Sequence, residues 1–115
     1  MLLTTTSSVE GYQIENYVGL VTGEVIVGAN VIKDIFASFR DFFGGRARSY
    51  ESTLSSARQK AIEDMIVSAM DAGADAVIGI DLDYETIGKA GAMLMVTASG
   101  TAVQLGRLRA PNPMR

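Results

Sequence analysis

The stretch Ala76-Val77-Ile78-Gly79-Ile80-Asp81-Leu82-Asp83-Tyr84-Glu85 decides the fold. Its apolar and acidic residues alternate with a period of two, so Ile78, Ile80, Leu82 and Tyr84 are expected on one side of a strand and Asp81, Asp83 and Glu85 on the other. A strand with one greasy and one wet side belongs in a sheet packed on a single face. Downstream, Gly88 to Gly91 mark a turn, and Met93 to Leu105 reads as a second long strand, hairpin-paired with the first. Upstream, Ser49 opens a helix running to about Ala72. Tyr50, Leu54, Ala57, Ala61, Met65 and Ala69 recur along one side of it, and Ile62, Ile66 and Met70 widen the stripe. Gly73 is placed to cap its carboxyl end.

Further out, Asn30 is placed to cap an earlier helix from Val31, whose Ile32, Ile35, Phe36, Phe39, Phe42 and Phe43 fall at three- and four-residue intervals. Gly44 and Gly45 are expected to stop it. Before that, Tyr12 to Val27 reads as a long buried strand interrupted by Gly19 and Gly23, and glycine inside a strand marks a bulge or a close backbone approach. The first ten residues, with Leu2, Leu3 and Thr4 to Thr6, favour a short edge strand. The expected fold is therefore α+β with the order β-β-α-α-β-β: two layers, a mainly antiparallel sheet with helices on one face. Residues 1–105 form one expected domain, and residues 106–115, which contain Pro111 and Pro113, a frayed, flexible tail.

Composition narrows the chemistry. With 115 residues, 48% of them hydrophobic and 20% charged, the chain can build one core and carries no disorder signature. A chain so short and so apolar is expected to hide part of its surface against further copies of itself. A net charge of -3, with scattered basic residues, argues against nucleic-acid binding. No run approaches the roughly 18–20 apolar residues of a membrane span, and no signal peptide is recognisable, so the expected location is the cytoplasm. Cysteine and histidine are both absent, which removes thiolate nucleophiles, imidazole bases and the usual ligands of zinc or copper.

Three groups of residues invite a functional reading. Asp81, Asp83 and Glu85 form a row of carboxylates about 7 Å apart, able to attract hard divalent cations such as Mg²⁺, Ca²⁺ or Mn²⁺; the plainer alternative is a solvated sheet face. Gly44, Gly45, Arg46 and Arg48, next to a helix start, could hold an anionic ligand on backbone amides and guanidinium groups. Helix termination explains the two glycines equally well, and the P-loop spacing is missing. Six methionines, with Met93 and Met95 on one strand face and Met65 and Met70 on one helix, could form a soft thioether site; filling gaps in a core is their ordinary role. Arg46 and Arg58 could pair with Asp34, Glu51 or Glu63. Lys33 and Lys60 lie near serines without an SxxK signature, so no catalytic constellation is recognisable.

Several segments combine in order: Thr4-Thr5-Thr6 with Glu10-Gly11; Gly23-Glu24-Val25-Ile26-Val27-Gly28-Ala29-Asn30; Asp34; Gly44-Gly45-Arg46; Tyr50-Glu51; Ala57-Arg58; Glu63-Asp64-Met65; Gly73 to Val77; and Ser99-Gly100-Thr101-Ala102-Val103. Together they resemble the YbjQ-like family of uncharacterised proteins over nearly the whole chain. The resemblance implies a dodecin-like subunit assembled into a ring-shaped homopentamer, with short extra strands joining neighbours, and it brings a label of heavy-metal binding. Gly23, Glu24, Gly28, Asn30, Asp34, Arg58 and Gly100 match its structural motifs, whereas no Cys or His is present to receive soft metal ligands. The expected function is a homopentameric binding or structural module, with a divalent metal ion as its candidate cofactor. A carrier or enzyme for a small anion using the Gly44 to Arg48 loop is the alternative.

Overall fold

The structure is a computed structural model that describes residues 1–28, 45–89 and 93–107, with backbone only for 45–50. Four strands and one helix lie within those residues: β1 (Leu2–Leu3), β2 (Tyr12–Val27), α1 (Gly45–Asp71), β3 (Ala76–Ile87) and β4 (Met93–Arg107). The strands form one mixed sheet in the order β1-β3-β4-β2. β4 runs antiparallel to both neighbours, and only the short β1 is parallel to its partner, β3. The expected helix over Val31 to Phe43 lies outside the described residues. The later helix begins at Gly45, four residues before Ser49, and β4 continues two residues past Leu105.

Small residues let α1 settle onto the sheet. Ala57, Ala61, Met65 and Ala69 are all buried and pack on Val21, Val27, Val77, Val96, Ala98 and Ala102. The closest approach is at Gly23. A Cβ added there would overlap the Ala61 carbonyl oxygen and lie 2.6 Å from the Met65 amide nitrogen, so only glycine admits the helix backbone at this point. Met70, expected on the same side, is 62% exposed. It sits one residue beyond Ala69, where the helix surface has already turned away from the sheet. The helix ends as expected: Gly73 adopts φ +80°, its amide bonds the Met70 carbonyl at 3.0 Å, and the Ala74 amide reaches back to Ala69 at 3.0 Å. This pattern is a Schellman cap.

β3 departs from the strict alternation expected of it. Its pairing with β4 advances three residues, Ile78 to Asp81, while β4 advances two, Thr101 to Ser99. The extra residue is a bulge at Gly79, whose φ of +61° favours glycine. Val77 and Ile80 consequently both pack on the helix side, while Ile78 joins Ala76 and Val103 on the opposite side, beneath Val9, Ile14 and Leu105. Ile78 and Ile80 therefore do not share a face. The bulge is held from outside by the amino-terminal segment: the Gly79 amide donates to the Thr6 carbonyl at 2.8 Å and the Ile80 amide to Thr4 at 3.1 Å.

Candidate functional site

Antiparallel register assembles the acidic face. Residues directly opposite one another share a side of the sheet, and three rows cross the side away from α1: Thr22, Ser99 and Asp81; Glu24, Thr97 and Asp83; Ile26, Met95 and Glu85. Asp81, Asp83 and Glu85 are brought together on one exposed surface, as their spacing implied. Glu24, which sequence reading placed only among the structural motifs, joins the same face two strands away, roughly 9–10 Å from the Asp83 row. Nothing in the local sequence marks that juxtaposition, because it depends on β2 and β3 flanking β4.

The carboxylates interact. Asp83 is hydrogen-bonded to Asp81 and feels its charge, and slight desolvation and the Glu85 charge act in the same direction, so the Asp83 carboxyl titrates above its ordinary range. One proton shared between two neighbouring carboxylates relieves their repulsion. Even so, among the described residues no group of three Asp, Glu, His or Cys side chains converges on a point that could hold a metal ion. With no Cys or His anywhere in the chain, one subunit offers no thiolate or imidazole ligand, and its soft donors are methionine thioethers alone.

The other expected site residues fall elsewhere. Gly45, Arg46 and Arg48 lie in the first turn of α1, so the backbone there is helical and not a loop; Gly44, Asn30 and Asp34 lie outside the described residues. Among the described residues nothing lies within 4 Å of a Cβ added at Gly28, in contrast to Gly23. Gly100 sits opposite the β3 bulge, where a Cβ would meet Val77 Cγ1 at 2.6 Å, the Ile78 carbonyl oxygen at 3.1 Å and Ile80 Cγ1 at 3.2 Å. Arg58 donates to the Tyr84 hydroxyl at 3.2 Å, tying the helix to the helix-facing side of β3. Met93 and Met95 are half-buried on the acidic side of β4 and Met65 is fully buried, so among the described residues only Met65 fills the core outright.

A polar chain that sequence reading missed fixes the far end of the sheet. The Asn16 Nδ2 group donates to Gln104 Oε1 at 2.9 Å, Gln104 Nε2 donates to the Gly73 carbonyl at 3.0 Å, and the Leu105 amide donates to the Asp75 carboxylate at 2.9 Å. These bonds join β2, β4 and the helix cap. No spacing within one segment could have predicted them.

Among the described residues no helix is long and apolar enough to cross a membrane. In architecture the chain is similar to a crystal structure of a protein of unknown function from Pediococcus pentosaceus, assigned to the DUF74 family. The TM-score is 0.62 at 18% sequence identity, over 92% of this chain and 98% of that one. At that identity the likeness shows the fold. A family model described as "Putative heavy-metal-binding" matches residues 1–106, which takes in every strand but the last residue of β4, together with the helix and the acidic face. The chain belongs to the YbjQ-like family.

Proposed function

We propose that this protein is a homo-oligomeric binding or structural module, a ring of five by its family resemblance, whose recognition surfaces lie where copies meet. The observation that carries this reading is the apolar surface left uncovered by the described residues. Leu20 is 78% exposed, Tyr17 70%, Met70 62%, and Ile26 and Val67 56% each. Singly such residues are ordinary, but Tyr17, Leu20 and Ile26 lie along one strand and Val67 and Met70 one helical turn apart, a pattern of interfaces more than of solvated surfaces. Size-exclusion chromatography with light scattering tests it. Five copies of a 12.2 kDa chain should elute near ~61 kDa, and a 12.2 kDa species at micromolar concentration would rule the reading out.

A second reading concerns ions and is favoured by the crowding at Asp83. Four carboxylates on one exposed face attract divalent cations as a field of negative charge, and a ring multiplies that field around its axis. Hard ions such as Mg²⁺, Ca²⁺ and Mn²⁺ suit oxygen donors. Calorimetric titration should then show binding that Asp81→Asn and Asp83→Asn weaken; the absence of heat with all three ions would dispose of it.

A further inference from the structure

The sheet has two open edges, and they differ in how α1 covers them. Among the described residues nothing pairs with the outer edge of β2, and beyond Ile80 nothing pairs with the outer edge of β3. Open edges present rows of unpaired amides and carbonyls, which recognise another extended strand. The first half of β2 is protected by irregularities at Ile14/Asn16 and Tyr17/Gly19. From Leu20 to Val27 the strand is regular and contains no proline, lysine or arginine. Those are the residues that ordinarily guard an edge.

Resting on the oligomer reading above, we propose that Leu20–Val27 of β2 in one copy pairs with Asp81–Ile87 of β3 in the next, head to tail. The helix decides against the symmetric alternative, β2 against β2. Backbone atoms of α1 stand directly over Gly23, so α1 overhangs the β2 edge. Joining two β2 strands about this region would crowd two such helices side by side on one face of the sheet, where packed helices need 8–10 Å between their axes. Among the described residues β3 is less obstructed, crossed by the Arg58 side chain on its way to the Tyr84 hydroxyl. α1 lies chiefly across β2 and β4 and barely reaches β3, leaving Tyr84 44% exposed and Leu82 half-buried on the helix side. The overhang of one copy therefore meets a bare strip on the next. Because β2 and β3 both run antiparallel to β4, copies in the same orientation form a parallel seam, and a head-to-tail contact of this kind closes into a ring when its rotation permits.

The absence of cysteine makes the test direct. Three double variants, Thr22→Cys with Asp81→Cys, Asp83→Cys or Glu85→Cys, sample the possible registers under mild oxidation, with the four single variants as controls. Within one chain Thr22 is separated from the β3 row by Ser99, roughly 9–10 Å and beyond the 4.4–6.8 Å reach of a disulfide, so any bond formed joins two chains. The expected result is a ladder of covalent multimers from at least one double variant and none from the singles. Cross-linking by Thr22→Cys alone would overturn the proposal in favour of the symmetric seam. Light scattering on the same samples separates the remaining outcomes: multimers without any ladder overturn the seam and leave the oligomer standing, whereas monomers overturn both. Hydrogen exchange on the unsubstituted protein gives an independent readout. Amides in Leu20–Val27 and Asp81–Ile87 should lose protection on dilution, and protection indifferent to concentration would contradict the seam even if the variants fold poorly.

Discussion

At Gly23 the helix and sheet touch backbone to backbone, and the competing effects of substitution can be weighed. Gly23→Ala gains about 0.4–1 kcal/mol by restricting the unfolded chain, but its methyl group would overlap Ala61 and Met65, and overpacking of this kind costs about 1–3 kcal/mol. The variant should therefore unfold at lower urea concentration than the parent. Asp83 offers the opposite sign. Its carboxyl pKa is raised by Asp81, first through their hydrogen bond and then through charge. A raised carboxyl pKa favours the folded state fully below the ordinary value of about 3.9, and that advantage disappears as pH climbs through the raised one. Asp83→Asn removes the repulsion, so its melting temperature should exceed the parent's at pH 7 and the difference should vanish near pH 3. Calorimetric melts across that interval would check it. Of these residues, the sequence marks Gly23 and Gly19 as interruptions that announce a close approach or a bulge, and the structure contains one of each. It does not mark Glu24 as a member of the acidic face, since that depends on Glu24 and Asp83 both pairing with the distant Thr97.

At the scale of elements, the hairpin of β3 with β4, the length of β2, the edge position of β1 and the capped end of α1 were all legible, because each rests on periodicity or on a local terminator. The phase of β3 was not. Strict alternation through Ile78-Gly79-Ile80 is the simplest reading of those letters, and only the engagement of the Gly79 and Ile80 amides by Thr6 and Thr4 reveals why the strand breaks step. Removing residues 1–6 should accordingly loosen the middle of β3 and not merely its end. Four lost backbone hydrogen bonds at about 0.5–1.5 kcal/mol each predict a destabilisation of about 2–6 kcal/mol, measured by thermal melting, with accelerated amide exchange at Gly79 and Ile80. Unchanged exchange there would show that the bulge holds itself.

At the scale of the whole molecule, composition foretold uncovered apolar surface, and the positions of Leu20, Ile26, Val67 and Met70 give that expectation an address. The head-to-tail seam carries an electrostatic consequence. It sets Glu24 of one copy beside Asp81, Asp83 and Glu85 of the next, and like charges opposite one another weaken strand pairing. Association should therefore tighten as sodium chloride rises from about 50 to 500 mM, over which the Debye length shrinks from more than ~10 Å toward ~4 Å. Sedimentation equilibrium would measure this, and the Asp81→Asn, Asp83→Asn double variant should flatten the dependence. A salt response that survives those substitutions would assign the effect to something other than these carboxylates.

The single surplus residue at Gly79 works as a phase reset midway along a ribbon. Upstream of it, odd-numbered Val77 points inward; downstream, odd-numbered Asp81 points outward, and even-numbered Ile80 and Leu82 take over the interior. Were the ribbon to run through that point without resetting, Asp81 and Asp83 would turn to the helix side of the sheet, and Ile80 and Leu82 would turn out to the opposite face. One glycine, and the two threonine carbonyls that hold it, thus determine on which side of the molecule its negative charge resides.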